Sequence, residues 1–124
     1  MAVLVSVNNL TDFKVSSIFV RRIIKSVFLN EGVKSAEISV AFLGEDEIRN
    51  INKEYRNKDK ATDVLSFLLD KDNMIGEIII CPTKVKGELS EVLIHGSLHL
   101  LGYDHEKSKK ERELMRAKED FYSF

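Results

Sequence analysis

The chain has 124 residues, 44% of them hydrophobic and 31% charged, which fits one compact domain with a buried core and argues against a second. Its 19 basic and 20 acidic side chains give a formal net charge of -1, which excludes nucleic-acid binding through an overall positive field and requires any such contact to be local. A single cysteine, Cys81, excludes an intramolecular disulfide, and no secretory signal or membrane-spanning run is recognisable, so we expect a cytoplasmic protein without a membrane contact.

The first half of the chain predicts two strand–helix units. Hydrophobic side chains that alternate with their neighbours are typical of half-buried strands, and two such sets are present: Val3, Val5 and Val7, then Ile38, Val40 and Phe42. Hydrophobic side chains at helical spacing follow each strand: Phe19, Ile23 and Val27, then Ile48, Ile51 and Tyr55. We expect Gly32 to end the first helix, because glycine readily adopts the left-handed conformation found at helix ends.

The second half predicts a hairpin and two helices. Residues 64–69 and 75–81 are β-branched or apolar runs on either side of a polar turn. From Leu89 onward, hydrophobic residues cover nearly the whole helical circumference, which indicates a buried helix. The last segment carries one hydrophobic stripe on an amphipathic helix, formed by Leu114, Ala117 and Phe121. The prediction is an α+β fold, a four-stranded mixed sheet packed with about four to five helices, in a single domain over residues 1–124.

All three histidines of the chain lie in one short stretch, as His95, His99 and His105. His95 and His99 are four residues apart, so on a helix both rings face the same point. Gly102 can end that helix and turn the chain back to present His105. Three neutral imidazoles suit Zn²⁺ and leave one coordination position for water, as in catalytic zinc sites. The sequence therefore predicts one Zn²⁺ per chain, although imidazole also suits iron, copper and nickel.

Two alternatives stay open at this point. Asp104 either supplies a fourth ligand or orients one of the imidazoles through its ring N–H, and we favour the second role. The histidines could also be ordinary polar residues on a packed helix, an interpretation that leaves the desolvation cost of three imidazoles unexplained.

The spacing of the histidines resembles that of the metzincin metalloproteases, whose pattern is H-E-x-x-H-x-x-G-x-x-H. In this chain Gly96 stands where the pattern has its glutamate, so the general base of a protease is absent from its helical position. This departure weighs against peptide hydrolysis. A zinc hydrolase acting on a peptide or amide bond remains an alternative function.

The complete string HGSLHLLGYDH, residues 95–105, resembles the signature of the YbeY family of bacterial rRNA maturation factors. The similarity extends upstream to Asn52-x-x-Tyr55-Arg56, to TDVLSF at residues 62–67 and to GEIIICP at residues 76–82. Two departures are a connection between Cys81 and the histidine helix that looks shorter than usual, and Glu77 where Asp is common. Neither departure affects the three histidines.

The resemblance implies a single-strand-specific, zinc-dependent endoribonuclease with a zincin-like site. Its implied role is the maturation of small-subunit (16S) rRNA and ribosome quality control, with single-stranded rRNA and the ribosome or its small subunit as partners. The implied metal ligands are His95, His99 and His105, and the implied catalytic residues are Arg56 and His95. Arg56 would bind phosphate, because a guanidinium is permanently charged and donates paired hydrogen bonds.

The sequence leaves several points open. The nucleophile is either a metal-activated water or the 2′-hydroxyl of the RNA, and the oligomeric state is unknown. A non-catalytic, ribosome-associated module with a structural metal is a further alternative. Basic residues flank the predicted site and could guide a phosphate backbone, but acidic neighbours interleave with them and favour a solvated surface; these are Lys58, Lys60, Lys84, Lys86, Lys107, Lys109, Lys110 and Arg112. Tyr103 is expected to pack beside the site rather than to stack on a base.

Overall fold

The computed structural model describes residues 2–123 and contains one four-stranded mixed sheet. Its strands are β1 (Val3–Asn9), β2 (Ala36–Phe42), β3 (Val64–Asp70) and β4 (Ile75–Ile80), in the order β1-β2-β4-β3. β1, β2 and β4 run parallel, and β3 pairs antiparallel with β4. The predicted α+β architecture and hairpin are confirmed.

Four helices pack on the two faces of this sheet. They are α1 (Ser17–Asn30), α2 (Glu45–Arg56), α3 (Leu89–Leu100) and α4 (Lys109–Tyr122), and a short 3-10 turn (Pro82–Lys84) follows β4. No helix within residues 2–123 combines the length and the apolar character that crossing a bilayer demands.

Alternation along β3 and β4 separates two hydrophobic layers. Ile78 and Ile80 belong to the larger cluster, which contains buried residues of α1, α3 and α4. Ile79 and Cys81 belong to the smaller cluster, which contains Ile48 of α2. Because neighbouring strand residues point to opposite faces, the sheet separates α2 from the other three helices. Residues of β3 belong to both hydrophobic clusters. The same strand also forms one wall of the cavity described in the next section.

The first helix lies where the sequence predicted it, but its buried face differs from the predicted one. Ser16 caps the helix by accepting a hydrogen bond from the Phe19 N–H at 3.2 Å, and Gly32 follows the helix with φ of +85°. The Phe19 side chain is 39% exposed. The buried face is wider than the predicted stripe, because α1 contacts both the sheet and α3, and it comprises Val20, Ile23, Ile24, Val27 and Phe28.

The second helix also differs from its prediction at one position. Ile48 is buried, but Tyr55 is 67% exposed. The other buried residue of α2 is Asn52, whose side-chain amide donates to the Lys60 carbonyl at 3.0 Å. A hydrogen-bonded amide can be buried at little cost, so Asn52 anchors the loop that follows the helix. Hydrophobic spacing alone could not identify this polar contact.

The predicted stripe of the last helix is wrong. Leu114 is 44% exposed and Phe121 is 71% exposed, and Ala117 is also exposed. The residues of α4 that face the protein are Met115 and Tyr122, which are fully buried or nearly so, together with Lys118 and Glu119, which lie between them. The helix turns this mixed face inward because both charged side chains have partners there, as described below.

Candidate metal centre

Helix α3 and the turn after it carry the three histidines. His95 and His99 are one turn apart on α3, and Gly102 takes φ of +101° just beyond its end. The Gly102 N–H donates to the His99 carbonyl at 3.0 Å and the Tyr103 N–H donates to the Leu98 carbonyl at 3.1 Å. These two hydrogen bonds form the Schellman motif, which needs a residue in the left-handed conformation at the position of Gly102. The chain thereby reverses and brings His105 beside the helix, as predicted.

The three imidazole rings converge. Their centroids are 4.7 Å apart for His95 and His99, 5.1 Å for His95 and His105, and 5.2 Å for His99 and His105. One ring nitrogen from each residue lies within 4.8 Å of the other two. His105 Nδ1 is buried and has no hydrogen-bond partner, which is costly for a polar atom unless a ligand satisfies it. The donor set and this unsatisfied nitrogen fit a divalent transition metal.

The electrostatic environment keeps His99 in the form that binds metals. Burial, followed by the charges of His95 and His105 when protonated, lowers the pKa of His99 from 6.5 to about 4. The ring is therefore neutral near neutral pH. Only a neutral imidazole has a lone pair for a metal ion, so protons do not compete for this residue at that pH.

A carboxylate that the sequence did not identify contacts the site. His95 Nδ1 and Glu119 Oε2 are 2.9 Å apart, and Glu119 belongs to α4. The hydrogen bond with His95 outweighs burial and lowers the pKa of Glu119 below its ordinary value of 4.5. The sequence offered no specific signal for this contact, since α4 carries four acidic and five basic residues, and the predicted stripe placed the wrong side of that helix against the protein.

Asp104 occupies a different place from the one we favoured. Its carboxylate accepts a hydrogen bond from the Glu106 N–H at 3.0 Å, and within residues 2–123 no hydrogen bond joins it to an imidazole. Asp104 does line the cavity that contains the histidines. Among residues 2–123, the carboxylate that hydrogen-bonds one of the three histidines is that of Glu119.

Arg56 shares a cavity of about 560 Å³ with all three histidines. Its Nη2 donates to the Ser66 carbonyl of β3 at 2.9 Å, and the guanidinium carbon lies 5.5 Å from the centre of the Phe67 ring. The structure thus brings together the four predicted site residues, although Arg56 comes from α2 and the histidines come from α3 and its turn.

Position 96 is closed to the glutamate of a metalloprotease. Gly96 is buried and faces the sheet, where a Cβ atom would lie 3.1 Å from Ile78 Cγ2 and 3.2 Å from Ser66 Oγ. Ser66 also donates to the Gly96 carbonyl at 3.1 Å. A side chain at this position would enter the interface between α3 and the sheet rather than the cavity. Close packing therefore leaves no room for the glutamate that serves as general base in a metalloprotease.

The basic residues fall into separate groups. Lys58 and Lys60 line the histidine cavity. Lys84 and Lys86 line an adjacent cavity, also about 560 Å³, whose other charged residues are acidic: Asp63, Glu88, Glu91 and Glu119. Tyr103 packs as predicted, since its hydroxyl donates to Glu31 at 2.5 Å.

The fold and the site define a class: an α+β protein whose buried helix and following turn present three converging histidines, able to hold a metal ion, beside an arginine. A family model described as "Endoribonuclease YbeY" matches residues 6–123. The chain therefore belongs to the YbeY family of endoribonucleases.

Individual relatives agree with this assignment. A protein from Persephonella marina named "Endoribonuclease YbeY" is 34% identical over 128 residues, covering 90% of this chain and 84% of the relative. One of the same name from Staphylococcus epidermidis is 43% identical over 102 residues, covering 64% of this chain and 66% of the relative, or about two thirds. The solution structure of TM1509 from Thermotoga maritima has a TM-score of 0.60 and 27% identity, with 96% of this chain and 86% of that chain covered.

The alignment with the Persephonella protein also bears on chain length. It runs over 128 residues, more than the 124 of this chain, so it includes residues of the relative that have no counterpart here.

Proposed function

We propose that this protein is a single-strand-specific, zinc-dependent endoribonuclease of the cytoplasm, acting in the maturation of small-subunit (16S) rRNA and in ribosome quality control. The observation that carries the proposal is the convergence of three histidines and Arg56 in one cavity. The relatives' name, "Endoribonuclease YbeY", supports the endoribonuclease activity. Its partners would be single-stranded rRNA and the ribosome or small subunit.

One Zn²⁺ per chain would be held by His95, His99 and His105. When bound, such an ion supplies Lewis acidity toward a phosphoryl oxygen and toward water. The protein's own contribution is to hold three imidazoles in place, two on a helix and one on a hydrogen-bonded turn. These elements fix the site before any substrate enters.

Arg56 would bind the phosphate at which the RNA is cut. A guanidinium has five N–H donors, and the structure uses the Nη2 atom for the Ser66 carbonyl. Its remaining donors are available to phosphate oxygens, and its permanent charge stabilises the negative charge that develops there. Contact with the Phe67 ring further restricts the side chain.

The RNA backbone is expected to enter on the side of Lys58 and Lys60. The histidine cavity has three basic residues, including Arg56, and three acidic ones, whereas four acidic residues accompany two lysines in the adjacent cavity. The histidine cavity therefore repels a polyanion such as RNA less than the adjacent cavity does. Because at most about three phosphates would be neutralised, the logarithmic slope of affinity against salt should be about -2 for a single strand.

The decisive experiment offers the protein three substrates: single-stranded RNA, duplex RNA and casein. With Zn²⁺ we expect internal cleavage of the single strand, much slower cleavage of the duplex and intact casein. A chelator or His99→Ala should abolish the cleavage, with circular dichroism confirming that the variant is folded. Cleavage of casein instead of RNA would favour the peptidase alternative, and metal binding without any cleavage would favour a structural role.

A further inference from the structure

The contact between Glu119 and His95 joins the last helix to the candidate metal centre. The two side chains are 24 positions apart in the sequence and 2.9 Å apart in space. They are 36% and 27% exposed, respectively, so water competes only partly for this hydrogen bond. The contact involves Nδ1 of His95, which leaves Nε2 for a ligand.

The rest of α4 holds Glu119 in this position. Ser108 caps the helix by accepting from the Glu111 N–H at 3.1 Å, and Met115 and Tyr122 lie in the hydrophobic core on either side of Glu119. Residues four before and three after a helical position share its face. The carboxylate is therefore fixed by packing, and it does not depend on the metal for its place.

The contact with the Glu119 carboxylate determines which ring nitrogen of His95 carries the proton. A carboxylate can only accept hydrogen bonds, and the Oε2 atom of Glu119 lies 2.9 Å from Nδ1 of His95. His95 must then carry its proton on Nδ1 and its lone pair on Nε2. A neutral histidine in water prefers the opposite tautomer, so this contact reverses the intrinsic preference.

Neither of the other two imidazoles has a comparable carboxylate within the part of the chain that the structure describes. His105 Nε2 lies 3.9 Å from Glu106 Oε1, beyond hydrogen-bond distance, and His99 has no carboxylate partner among residues 2–123. The orienting effect is thus confined to one of the three candidate ligands.

We propose that Glu119 is the positioning residue of the metal centre: it fixes the tautomer and the ring of His95 so that Nε2 is presented to a divalent transition metal. This inference rests on the metal centre of the proposed function, but not on the identity of the substrate. Carboxylates that hydrogen-bond a ligand histidine also make its ring a better donor to the metal.

The test uses the full chain and two variants, Glu119→Ala and Glu119→Gln, with Glu113→Ala as the matched control. Glu113 is an exposed glutamate of the same helix. Metal-free protein is titrated with Zn²⁺ against a competing chelator. We expect Glu119→Ala to weaken Zn²⁺ binding roughly 10- to 100-fold and Glu119→Gln to lie between, because its amide oxygen still accepts a hydrogen bond. Glu113→Ala should bind like the unaltered protein.

A second measurement separates positioning from a loss of folding. In the metal-free, unaltered protein, ¹⁵N-resolved NMR of the imidazoles at about pH 8 should show His95 protonated on Nδ1. Glu119→Ala should move that proton to Nε2, whereas Glu113→Ala should not.

Equal Zn²⁺ affinity in Glu119→Ala and Glu113→Ala, or protonation of His95 on Nε2 in the unaltered protein, would overturn the inference while leaving the metal centre standing. Failure of the unaltered protein to bind Zn²⁺ would instead remove the metal centre, and this inference with it. If Glu119→Ala does not fold, the glutamine variant and the NMR spectrum of the unaltered protein decide.

Discussion

Arg56 shows how a single side chain can be both restrained and available. One of its N–H groups binds the Ser66 carbonyl and its planar group lies over Phe67, yet the side chain lines the cavity of the histidines. Such a restrained guanidinium loses little further freedom when it binds a phosphate. The sequence indicated Arg56 only through a family resemblance, because nothing in its local pattern distinguishes it from other surface arginines.

We predict that Arg56→Ala lowers the rate of RNA cleavage by about 100-fold or more, in line with the removal of one preorganised donor. Metal content should not change, because Arg56 is not a ligand. The comparison is Arg116→Ala, which alters an exposed arginine of α4. If Arg56→Ala cleaves RNA as fast as Arg116→Ala, Arg56 has no part in the reaction.

We predict that Gly96→Glu does not create a protease. The new side chain would collide with Ile78 and Ser66 and would bury a charge, so the free energy of unfolding should fall by about 3 kcal/mol or more. Gly96→Ala should lose less, since the gain in helix propensity of about 1 kcal/mol offsets part of the crowding. Denaturant unfolding measures both; a Gly96→Glu variant of normal stability would show that position 96 has room.

Residues joined by local geometry were predictable, and those joined by packing were not. The placement of His95, His99 and Gly102 follows from helix periodicity and a helix-ending turn, so the convergence of the three histidines could be predicted from the residues alone. Glu119 could not, because its contact with His95 depends on how α4 lies against α3.

At the scale of elements, α4 illustrates the limit of hydrophobic periodicity. The pattern favoured Leu114 and Phe121, whereas the helix turns Met115 and Tyr122 inward. The inward face includes Lys118 and Glu119, which form hydrogen bonds with Glu31 and His95, respectively. Because a hydrophobic pattern counts only apolar residues, it treats this face as polar and predicts that the opposite face of the helix is buried.

We predict that Met115→Ala costs about 2–5 kcal/mol of unfolding free energy, as expected for a fully buried methionine. Phe121→Ala should cost less than about 1 kcal/mol, because this ring is 71% exposed. Urea unfolding of the two variants measures the difference. The reverse order would restore the stripe that the sequence suggested and contradict the observed packing of α4.

At the scale of the whole molecule, Glu31 connects three distant segments. It follows α1, and its carboxylate accepts hydrogen bonds from Tyr103 at 2.5 Å, Tyr122 at 2.5 Å and Lys118 at 3.1 Å. Tyr103 lies in the turn that presents His105, and the other two lie on α4. The cluster therefore holds together the elements that carry the three histidines, and its member Tyr103 also lines their cavity.

This cluster predicts an acid-sensitive contribution to stability. Burial alone would raise the pKa of Glu31, but the hydrogen bonds from Tyr103, Tyr122 and Lys118 together lower it below its ordinary value of 4.5. A carboxyl group whose pKa is lower in the folded state stabilises the protein fully above its unfolded pKa, and this stabilisation is lost as the pH falls through the folded value.

We therefore expect Glu31→Gln to lower Tm near pH 7 by several degrees, and the difference from the unaltered protein to shrink as the pH falls below about 4. Thermal unfolding of the metal-free proteins across this range measures it, with Glu113→Gln as a control that should show no such trend. A difference that stays constant with pH would mean that ionised Glu31 does not hold the cluster.

The whole fold was easier to predict than its internal contacts. Alternation in β1 and β2 and the polar turn between β3 and β4 specified the mixed sheet, since each signal lies within a few residues. The inward faces of α2 and α4 depend on polar partners from other segments, namely the Lys60 carbonyl for Asn52 and Glu31 for Lys118. Those partners are visible only once the chain is folded.

The most direct test of this account is to measure RNA cleavage while metal is returned to the metal-free protein in known amounts. If His95, His99 and His105 hold the ion that the reaction requires, the cleavage rate should rise with Zn²⁺ and saturate at one equivalent per chain, and His99→Ala should show neither stoichiometric binding nor cleavage. Full cleavage by the metal-free protein would contradict the account.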